Sequence, residues 1–269
     1  MTNVAEGSAE STVKKSRTPQ LSVTIVARNE ASRIGECIDR VSWADEIIVL
    51  DSGSSDGTQE ICRARGATVV ESSWTGYAAQ KNTAIEKARH PWVLSLDADE
   101  LVSDTLREQI LAVLRADGPA DGFRIPRKNI FFGKWLRHGD HWPDHQIRLF
   151  RKGCGQFKVK AVHESVEVSG AVNELTEPLE HHSYENFHEF FDRQLRYAAL
   201  AAEELGARGQ SPALSDFVFR PLWRFVKGYF FKSGWRDGCE GFIVSVGYAY
   251  YVFMRAAFLR ESRRGREIT

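Results

Sequence analysis

The amino-acid sequence predicts an α/β fold, with a Rossmann-like, mostly parallel sheet carrying helices on both faces, plus a C-terminal helical appendage. From Leu21 to Ala116, short apolar runs alternate with amphipathic segments, and repeated strand–helix–strand units imply right-handed crossovers between parallel strands. Polar clusters follow three of the apolar runs, at 28–30, 51–56 and 97–100. Ligands in such sheets bind at the carboxyl ends of the strands, so these clusters indicate a site.

The hydrophobic pattern assigns each element in turn. Predicted strands lie at Leu21–Ala27, Glu46–Asp51, Ala67–Ser72 and Trp92–Leu96. Predicted helices lie at Ala31–Ser42, from Gly57 to about Gly66, at Tyr77–Arg89 and at Ser103–Ala116, where Ser103 is a helix cap.

The remainder divides by composition. Residues 1–20 are polar, lack an apolar signal sequence and predict a disordered tail. Residues 21–183 form one predicted domain, with halves 21–120 and 121–183, and residues 184–269 a helical region. In that region Asn186–Gly206 predicts one helix, and Leu214–Arg260 predicts two or three more.

Composition excludes several classes of protein. At 269 residues, 42% hydrophobic and 27% charged, with a formal net charge of zero, the chain is an ordinary folded protein. Its four cysteines form no C-x-x-C pair, which disfavours a zinc site and favours a reduced, cytosolic setting. The GxxxxGK[ST] and GxGxxG patterns are missing from the sequence, which excludes a P-loop and disfavours a nicotinamide enzyme.

Three acids follow the fourth apolar run, in Leu94-Ser-Leu-Asp-Ala-Asp-Glu100. In an extended chain, residues two apart point to the same side, so Asp97 and Asp99 are predicted to share one cation. Hard carboxylate oxygens select Mg²⁺ or Mn²⁺, which often lies between protein carboxylates and substrate phosphates. A solvated turn is the alternative.

Asp51 ends the second run and precedes Ser52-Gly-Ser-Ser-Asp-Gly57. Ser, Asp and Gly favour turns and helix caps, so a capping loop is one interpretation. The other is that the Asp51 carboxylate accepts a hydrogen bond from the N–H of a nucleotide base.

Together these segments resemble the family 2 glycosyltransferases of the GT-A fold. The resemblance rests on Val23-Thr-Ile-Val-Ala-Arg-Asn-Glu30, Ile48-Val-Leu-Asp-Ser-Gly-Ser-Ser-Asp-Gly-Thr58, Gln80-Lys-Asn82 and Leu96-Asp-Ala-Asp-Glu100. It implies that a nucleotide, usually uridine, contacts Ala27, Arg28, Asn29, Glu30 and Asp51. It also implies that Lys81 lies near the nucleotide or diphosphate, Asp97 at the nucleotide sugar and Asp99 on the metal; a solvated helix charge is the alternative for Lys81.

A narrower resemblance covers the second half. Trp142-Pro-Asp-His-Gln-Ile-Arg-Leu-Phe150 and Val162-His-Glu-Ser-Val166 are similar to bacterial enzymes that glycosylate the lipopolysaccharide inner core, closest to the β-1,4-glucosyltransferase group. This resemblance implies transfer of a hexose, glucose by analogy, from a UDP-linked donor to that acceptor.

Such enzymes invert the configuration at the anomeric carbon, because the acceptor hydroxyl attacks that carbon directly. A carboxylate must therefore accept the proton of the acceptor hydroxyl. Glu164, a lone acid in a strand-like stretch beside His163, is the candidate base, with an exposed strand residue as the alternative, and Asp144 is the reserve. His163 is predicted to orient Glu164, touch the diphosphate or ligate the metal, with a structural histidine as the alternative. Arg148 is predicted to pair with phosphate through its guanidinium fork.

Charge and aromatic content predict the partners. The middle segment carries basic residues that are predicted to attract an anionic or lipid-linked glycan acceptor: Lys128, Lys134, Arg137 and Arg151. A solvated basic face is the alternative. Gly241–Met254 lacks charge but is shorter than the roughly 20 residues that span a bilayer. Trp223–Lys232 interleaves aromatics with cations, and the tail adds Arg260, Arg263, Arg264 and Arg266. We therefore expect peripheral contact with the cytoplasmic membrane face and no nucleic-acid partner. A helical appendage packed on the catalytic domain is the alternative for this region.

Three other functions stay open. One is a family 2 enzyme acting on exopolysaccharide, a polyprenyl-linked sugar or a peptide. Another is a nucleotidyltransferase, disfavoured because Arg28-Asn-Glu30 lacks a Gly-rich basic signature. The last is a non-catalytic sugar-nucleotide-binding module, against which Asp97, Asp99 and Glu164 argue.

Overall fold

Strands and helices alternate through the first half of the chain, as the hydrophobic pattern predicts. The computed structural model describes residues 20–158 and 165–267, with side chains to residue 263; the predicted tail, apart from Gln20, lies outside this range. The strands are β1 (Leu21–Ala27), β2 (Glu46–Asp51), β3 (Thr68–Glu71) and β4 (Trp92–Asp97). The helices are α1 (Ile34–Arg40), α2 (Thr58–Ala64), α3 (Tyr77–Lys87) and α4 (Asp104–Ala116).

Helix boundaries follow local hydrogen bonding. Ser103 caps α4, as predicted, and its hydroxyl accepts a hydrogen bond from Leu106 N at 3.2 Å. Helix α1 begins three residues later than the pattern predicts. The amides of Glu30 and Ala31 donate instead to side chains of the loop after β2, so the chain forms a turn before it enters the helix.

The first four strands are parallel, in the order β3-β2-β1-β4. Their register aligns Ala27 of β1 with Asp51 of β2, and Val26 with Asp97 of β4. The carboxyl ends of three strands therefore meet at one edge of the sheet, where the sequence analysis expects a site.

The second half continues the same sheet with mixed directions. β8 (Asp144–Arg151) pairs antiparallel with β4 and with β6 (Gly122–Phe131), which in turn pairs parallel with β12 (Leu179–Tyr184). The fold is thus an α/β sheet whose parallel part is extended by antiparallel pairings. Three short strands complete the sheet: β5 (Glu100–Val102), β7 (Lys134–Trp135) and β11 (Val172–Glu174). A separate two-stranded antiparallel sheet is formed by β9 (Gly155–Lys158) and β10 (Ser165–Val168).

Helices cover both faces of the sheet, as predicted. Ile34 of α1 and Leu106 of α4 lie in one buried cluster with Val49. Ile85 of α3 lies in another, with Ile48. Successive residues of β2 therefore face opposite cores. For this reason the strand is apolar on both faces and does not alternate between apolar and polar residues.

The C-terminal region is helical, as predicted. Its α-helices are α5 (Phe187–Ala207), α6 (Leu214–Phe217), α7 (Phe219–Val226) and α8 (Gly238–Glu267), with a π-helical segment (Lys227–Phe231) and a 3₁₀ turn (Gly234–Asp237) before α8. Asn186 caps α5 through a 2.9 Å bond from Glu189 N. The helical stretch Gly234–Arg263 contains an 18-residue window of mean hydropathy 1.5, so it is long and apolar enough to cross a bilayer by length and composition, and 28% of that window is buried. The uncharged stretch Gly241–Met254, too short by itself, lies within that longer helix.

Candidate active site

Side-chain hydrogen bonds join the loops that follow β1 and β2. Asn29 Oδ1 accepts from Ser55 N at 2.9 Å, and Ser54 Oγ accepts from Asn29 N at 2.8 Å. Glu30 N donates to Thr58 Oγ1 at 2.8 Å. Asn29 has φ +57°, a conformation that asparagine tolerates better than most residues. These bonds make a rigid rim beside the ends of both strands.

The Asp51 carboxylate organises its own loop. Asp51 Oδ1 accepts from Gly53 N at 3.1 Å, Ser54 N at 2.9 Å and Gln59 Nε2 at 2.6 Å. Burial alone would raise the pKa of Asp51, but these donors lower it below its ordinary value. The geometry therefore favours the interpretation of this segment as a capping loop that Asp51 holds together. A contact between Asp51 and a nucleotide base stays a prediction.

Two cations hold the Asp97 carboxylate at the end of β4. Lys81 Nζ lies 2.7 Å from Asp97 Oδ1, and Arg148 Nη2 lies 2.7 Å from Asp97 Oδ2. Burial would raise the pKa of Asp97, but these positive charges hold it far below its ordinary range. Asp97 is thus an ionised acid whose charge is already neutralised by the protein.

Arg148 also binds Glu100, which is fully buried. The opposite Glu100 oxygen accepts from Asp97 N at 3.1 Å, closing a ring around the strand end. Arg127 Nη1 lies 3.4 Å from Glu100, and the same side chain pairs with Asp144. Buried charges of this kind persist only when paired and hydrogen-bonded, so the network determines the local geometry.

Asp99 lies in the turn after β4 and not in an extended strand. The period-2 argument that placed Asp97 and Asp99 on one side therefore does not apply, because the strand ends at Asp97. His181 faces Asp99, with its Nε2 3.6 Å from Asp99 Oδ2. Burial would raise the pKa of Asp99, but the hydrogen bond and charge of His181 lower it.

His181 is held in place from behind. Its Nδ1 is 2.7 Å from Asn129 Oδ1 and 3.0 Å from Ser183 Oγ. The neighbouring amide of His182 donates to Asp99 O at 2.9 Å. Strand β12 thus fixes both the acid-bearing turn and the imidazole that faces it.

Helix α5 reaches the same edge from the C-terminal region. Arg33 pairs with Glu185 at 2.8 Å and with Glu189 at 3.3 Å, joining the turn before α1 to the start of α5. Glu30, close by, has its pKa raised by burial and then by the negative charge of Asp99. A cation beside Asp99 would relieve this repulsion.

The donor set fits a divalent cation at Asp99. Magnesium and manganese need one or two carboxylates when phosphates and water complete their shell, and manganese also accepts imidazole. Asp99 and His181 meet that requirement, whereas both Asp97 oxygens face cationic groups. Among residues 20–158 and 165–267, no group of three or more His, Cys, Asp or Glu side chains is arranged to hold a metal. Asp97 and Asp99 sharing one cation stays a prediction that this geometry does not favour.

The family model described as glycosyl transferase family 2 matches residues 22–166, which is more than half of the chain. The chain belongs to glycosyl transferase family 2. Its GT-A-like α/β architecture and its function as a glycosyltransferase follow from that membership and from the sheet described above.

Individual relatives resemble this family 2 glycosyltransferase over most of its length. It is 32% identical to the lipopolysaccharide core biosynthesis glycosyltransferase LpsC of Rhizobium meliloti, over 88% of this chain and 90% of that one. It is 28% identical to an uncharacterized glycosyltransferase of Rickettsia bellii, over 91% and 87%. Among solved structures, the mannosyltransferase PcManGT of Pyrobaculum calidifontis, in complex with GDP-Man and Mn²⁺, is 19% identical over 93% and 76%, with a TM-score of 0.46.

Three consecutive residues of α3 tie three separate segments of this glycosyltransferase together. Gln80 Nε2 donates to Ser73 O after β3, and Lys81 binds Asp97 after β4. Asn82 bonds both backbone groups of Phe157 in β9, at 2.8 and 2.9 Å. Lys81 is buried rather than a solvated helix charge; its contact with a nucleotide or diphosphate stays a prediction.

The structure describes some of the predicted catalytic and phosphate-binding residues and not others. Glu164 and His163 lie outside the described residues, so their roles stay predictions. Asp144 accepts from Arg127 Nε at 2.9 Å and from Gln146 Nε2 at 2.7 Å. Although burial raises its pKa, Arg127 and these hydrogen bonds lower it overall, which makes Asp144 a weak base. Arg148, predicted to meet phosphate, uses its guanidinium group on Asp97 and Glu100.

Sequence reasoning missed the long-range members of the site. Glu100 was noted only as a third acid, while Arg127, Asn129 and His181 were not singled out. Their signal was weak, because a charged or polar side chain within a strand is usually solvated. Burial of Glu100 and Asn129 becomes visible only when β6, β8 and β12 assemble beside β4.

The basic middle segment is largely paired within the protein. Lys128 binds Glu180 at 2.6 Å, Lys134 binds Glu240 at 2.7 Å, and Arg151 binds Asp117 at 2.8 Å. The Arg137 guanidinium lies 4.0 Å from the Trp135 ring centroid. This pairing offsets the positive charge that was expected to attract an anionic acceptor.

Proposed function

We propose that this family 2 glycosyltransferase transfers a hexose from a UDP-linked sugar to a lipopolysaccharide inner-core or related envelope glycan, with inversion, using Mg²⁺ or Mn²⁺. The observation that carries the proposal is the arrangement after β4. Asp97 is neutralised by Lys81 and Arg148, while Asp99 faces His181. Burial, and then the negative charge of Asp99, raise the pKa of the neighbouring Glu30. One strand end thus presents a single carboxylate suited to a cation.

The residues of the edge suit the chemistry of diphosphate departure. A bound divalent cation would neutralise charge that develops on the leaving diphosphate. Asp99 and His181 would hold it, and Asn129 would keep the His181 ring oriented through Nδ1. The rim formed by Asn29 and Ser54 would border the nucleotide, with its backbone already ordered before the donor binds.

The acceptor assignment rests on the relative named above. LpsC is named as a lipopolysaccharide core biosynthesis enzyme, and the likeness extends over 88% of this chain and 90% of that one, which is far more than the nucleotide half. Acceptor specificity in a glycosyltransferase depends on the part of the fold beyond the nucleotide half, so a match that spans both parts supports a related acceptor. Glucose as the transferred hexose follows from the resemblance of the second half.

Donor hydrolysis tests the proposal before any acceptor is known. UDP- and GDP-sugars would be screened without acceptor, with Mn²⁺, Mg²⁺ or a chelator. We expect metal-dependent release of UDP, lost in Asp99→Ala and kept in Asp104→Ala, whose carboxylate lies on the exposed start of α4. Metal-dependent turnover that survives in Asp99→Ala would remove Asp99 from the site.

Acceptor and stereochemistry need a second assay. Truncated core oligosaccharides, polyprenyl-phosphate sugars and peptides would be offered with the donor found above, and the product analysed by NMR. We expect transfer to the core oligosaccharide with a β linkage from an α-linked donor. Transfer only to polyprenyl or peptide acceptors would replace the acceptor proposed here, and an α-linked product would contradict inversion.

A further inference from the structure

The segment Phe217–Arg236, which covers α7, the π-helical segment and the 3₁₀ turn up to the residue before Asp237, has a distinctive composition. Its twenty residues include no Asp or Glu and eight aromatic side chains. Its five cations are Arg220, Arg224, Lys227, Lys232 and Arg236. Aromatic and cationic side chains interleaved without acids suit the headgroup level of an anionic bilayer.

The apolar side chains of this segment point outward. Phe219 is 70% exposed and Phe231 is 68% exposed, far more than expected for phenylalanines of a folded domain. We call the following set, with its neighbouring cations, the basic aromatic face: Phe219, Leu222, Trp223, Phe230, Phe231 and Trp235. Exposed apolar side chains gathered in this way mark an interaction surface.

Helix α8 extends the face. Phe242, Val246 and Phe253 are exposed and spaced four and seven residues apart, which places them on one side of the helix. Phe242 packs against Phe225 at 5.7 Å between ring centroids, and Phe253 against Phe217 at 6.1 Å. The exposed stripe is thus continuous with the preceding helices.

Contacts along α8 argue against its insertion across a bilayer. Near its start, Glu240 binds Lys134 of the catalytic sheet. At its middle, Gly247 lies so close to Phe190 that an added Cβ would be 2.1 Å from that ring. Near its end, Arg263 Nε donates to Gln210 O at 3.0 Å. Because α8 contacts the folded domain along its length, it lies beside that domain and does not cross a bilayer. Its exposed stripe is therefore available at the protein surface.

We propose that the basic aromatic face and the α8 stripe dock on the headgroup region of an anionic phospholipid bilayer, placing the enzyme at the inner face of the cytoplasmic membrane. Charge complementarity identifies the occupant, because the five cations of Phe217–Arg236 outnumber the acids that pair with them. Arg220 binds Asp216 at 2.8 Å and Lys232 binds Asp140 at 2.9 Å, while Lys227 and Arg236 are exposed. The proposal deepens the proposed function, since a lipid-linked acceptor is presented at that surface. It does not depend on the identity of the sugar.

Vesicle flotation of the full-length chain tests the docking. Vesicles of phosphatidylcholine alone and of phosphatidylcholine mixed with phosphatidylglycerol would be compared at low and high salt. We expect binding to the anionic vesicles that weakens with salt. Lys227→Gln/Arg236→Gln should weaken it on the order of 25-fold, from about 1 kcal/mol per cation. Phe219→Ser/Phe231→Ser should weaken it roughly ten-fold or more.

Matched controls lie outside the face. Lys87→Gln/Arg115→Gln removes two exposed cations from α3 and α4, and Leu200→Ser removes an exposed apolar side chain from α5. Both should bind as the wild-type chain does. Donor hydrolysis in solution should be the same in all these variants, so that loss of docking and failure of the glycosyltransferase proposal are separate outcomes.

Several results would overturn the docking proposal. Absence of binding to anionic vesicles, or unchanged binding by both face variants, would exclude the lipid surface as the occupant of this face, and equal binding to neutral and anionic vesicles would contradict the role of its cations. A stable dimer that the Phe219→Ser/Phe231→Ser change dissociates, without vesicle binding, would assign the face to a second copy of the chain. Resistance of the membrane-bound chain to alkaline carbonate extraction would show that α8 is embedded.

Discussion

Arg148 Nη2 lies 2.7 Å from Asp97 Oδ2 where β4 ends, and the same guanidinium group binds the buried carboxylate of Glu100. Both members of the Arg148–Glu100 pair are almost without solvent contact. One arginine therefore bridges two acids that flank the turn bearing Asp99. The active-site edge owes its geometry to this contact.

Arg148→Met should unfold more readily than the wild-type chain. Removing one partner of a buried ion pair leaves uncompensated charge and costs about 3–5 kcal/mol. Urea denaturation measures the loss of unfolding free energy. Arg107→Met, which breaks only exposed pairs of α4, should cost no more than about 1 kcal/mol. In Arg148→Met/Glu100→Gln stability should partly return while donor turnover stays low; equal stability of Arg148→Met and wild type would contradict the network.

Asn82→Ala should loosen β9 without unfolding the domain. The Asn82 amide satisfies both the N–H and the C=O of Phe157, and leaving buried backbone groups unpaired costs roughly 1–3 kcal/mol each. Hydrogen exchange followed by mass spectrometry should show faster exchange across the β9–β10 hairpin. Glu86→Ala, one turn further along α3, is the control and should leave that exchange unchanged. Uniformly faster exchange over the chain would indicate a global effect instead.

Acid should destabilise the protein partly through His141. Burial beside Phe131 and Tyr248 lowers the pKa of His141 to about 4, while an unfolded histidine has a pKa of about 6.5. The unfolded chain therefore binds the proton first, and stability falls as pH drops from about 6.5 towards 4, by about 3 kcal/mol. Unfolding free energies of His141→Phe should decline less over that window, and parallel curves for both proteins would exclude this histidine.

Gly247→Ala should destabilise the packing of α8 on α5. Alanine favours a helix over glycine by about 1 kcal/mol, but its Cβ would lie 2.1 Å from the Phe190 ring. Overpacking of a core costs about 1–3 kcal/mol, so we expect a net loss of thermal stability. Gly118→Ala, where an added Cβ has no neighbour within 4 Å, should be neutral or stabilising. Phe190→Leu should restore part of the loss; a stabilised Gly247→Ala would show that Phe190 moves at little cost.

In the first half of the chain, local sequence patterns were enough to predict the main strands and helices. Alternating runs placed β1, β2 and β4 within a residue or two, because their side chains contact cores on both faces. A serine followed by an apolar helical period located the α4 cap. Family membership was accessible too, since the nucleotide half keeps its strand-end polar residues in contiguous stretches of sequence.

The partners of those residues were decided by the tertiary structure. Asp97 meets Lys81 and Arg148, which are 16 and 51 residues away along the chain. Asp99 turns towards His181, on a strand from the far end of the sheet. The periodicity of a sequence predicts the direction in which side chains point only within a single strand or helix. Which carboxylate is neutralised by protein cations, and which is left for a ligand, depends on strands that become neighbours only on folding.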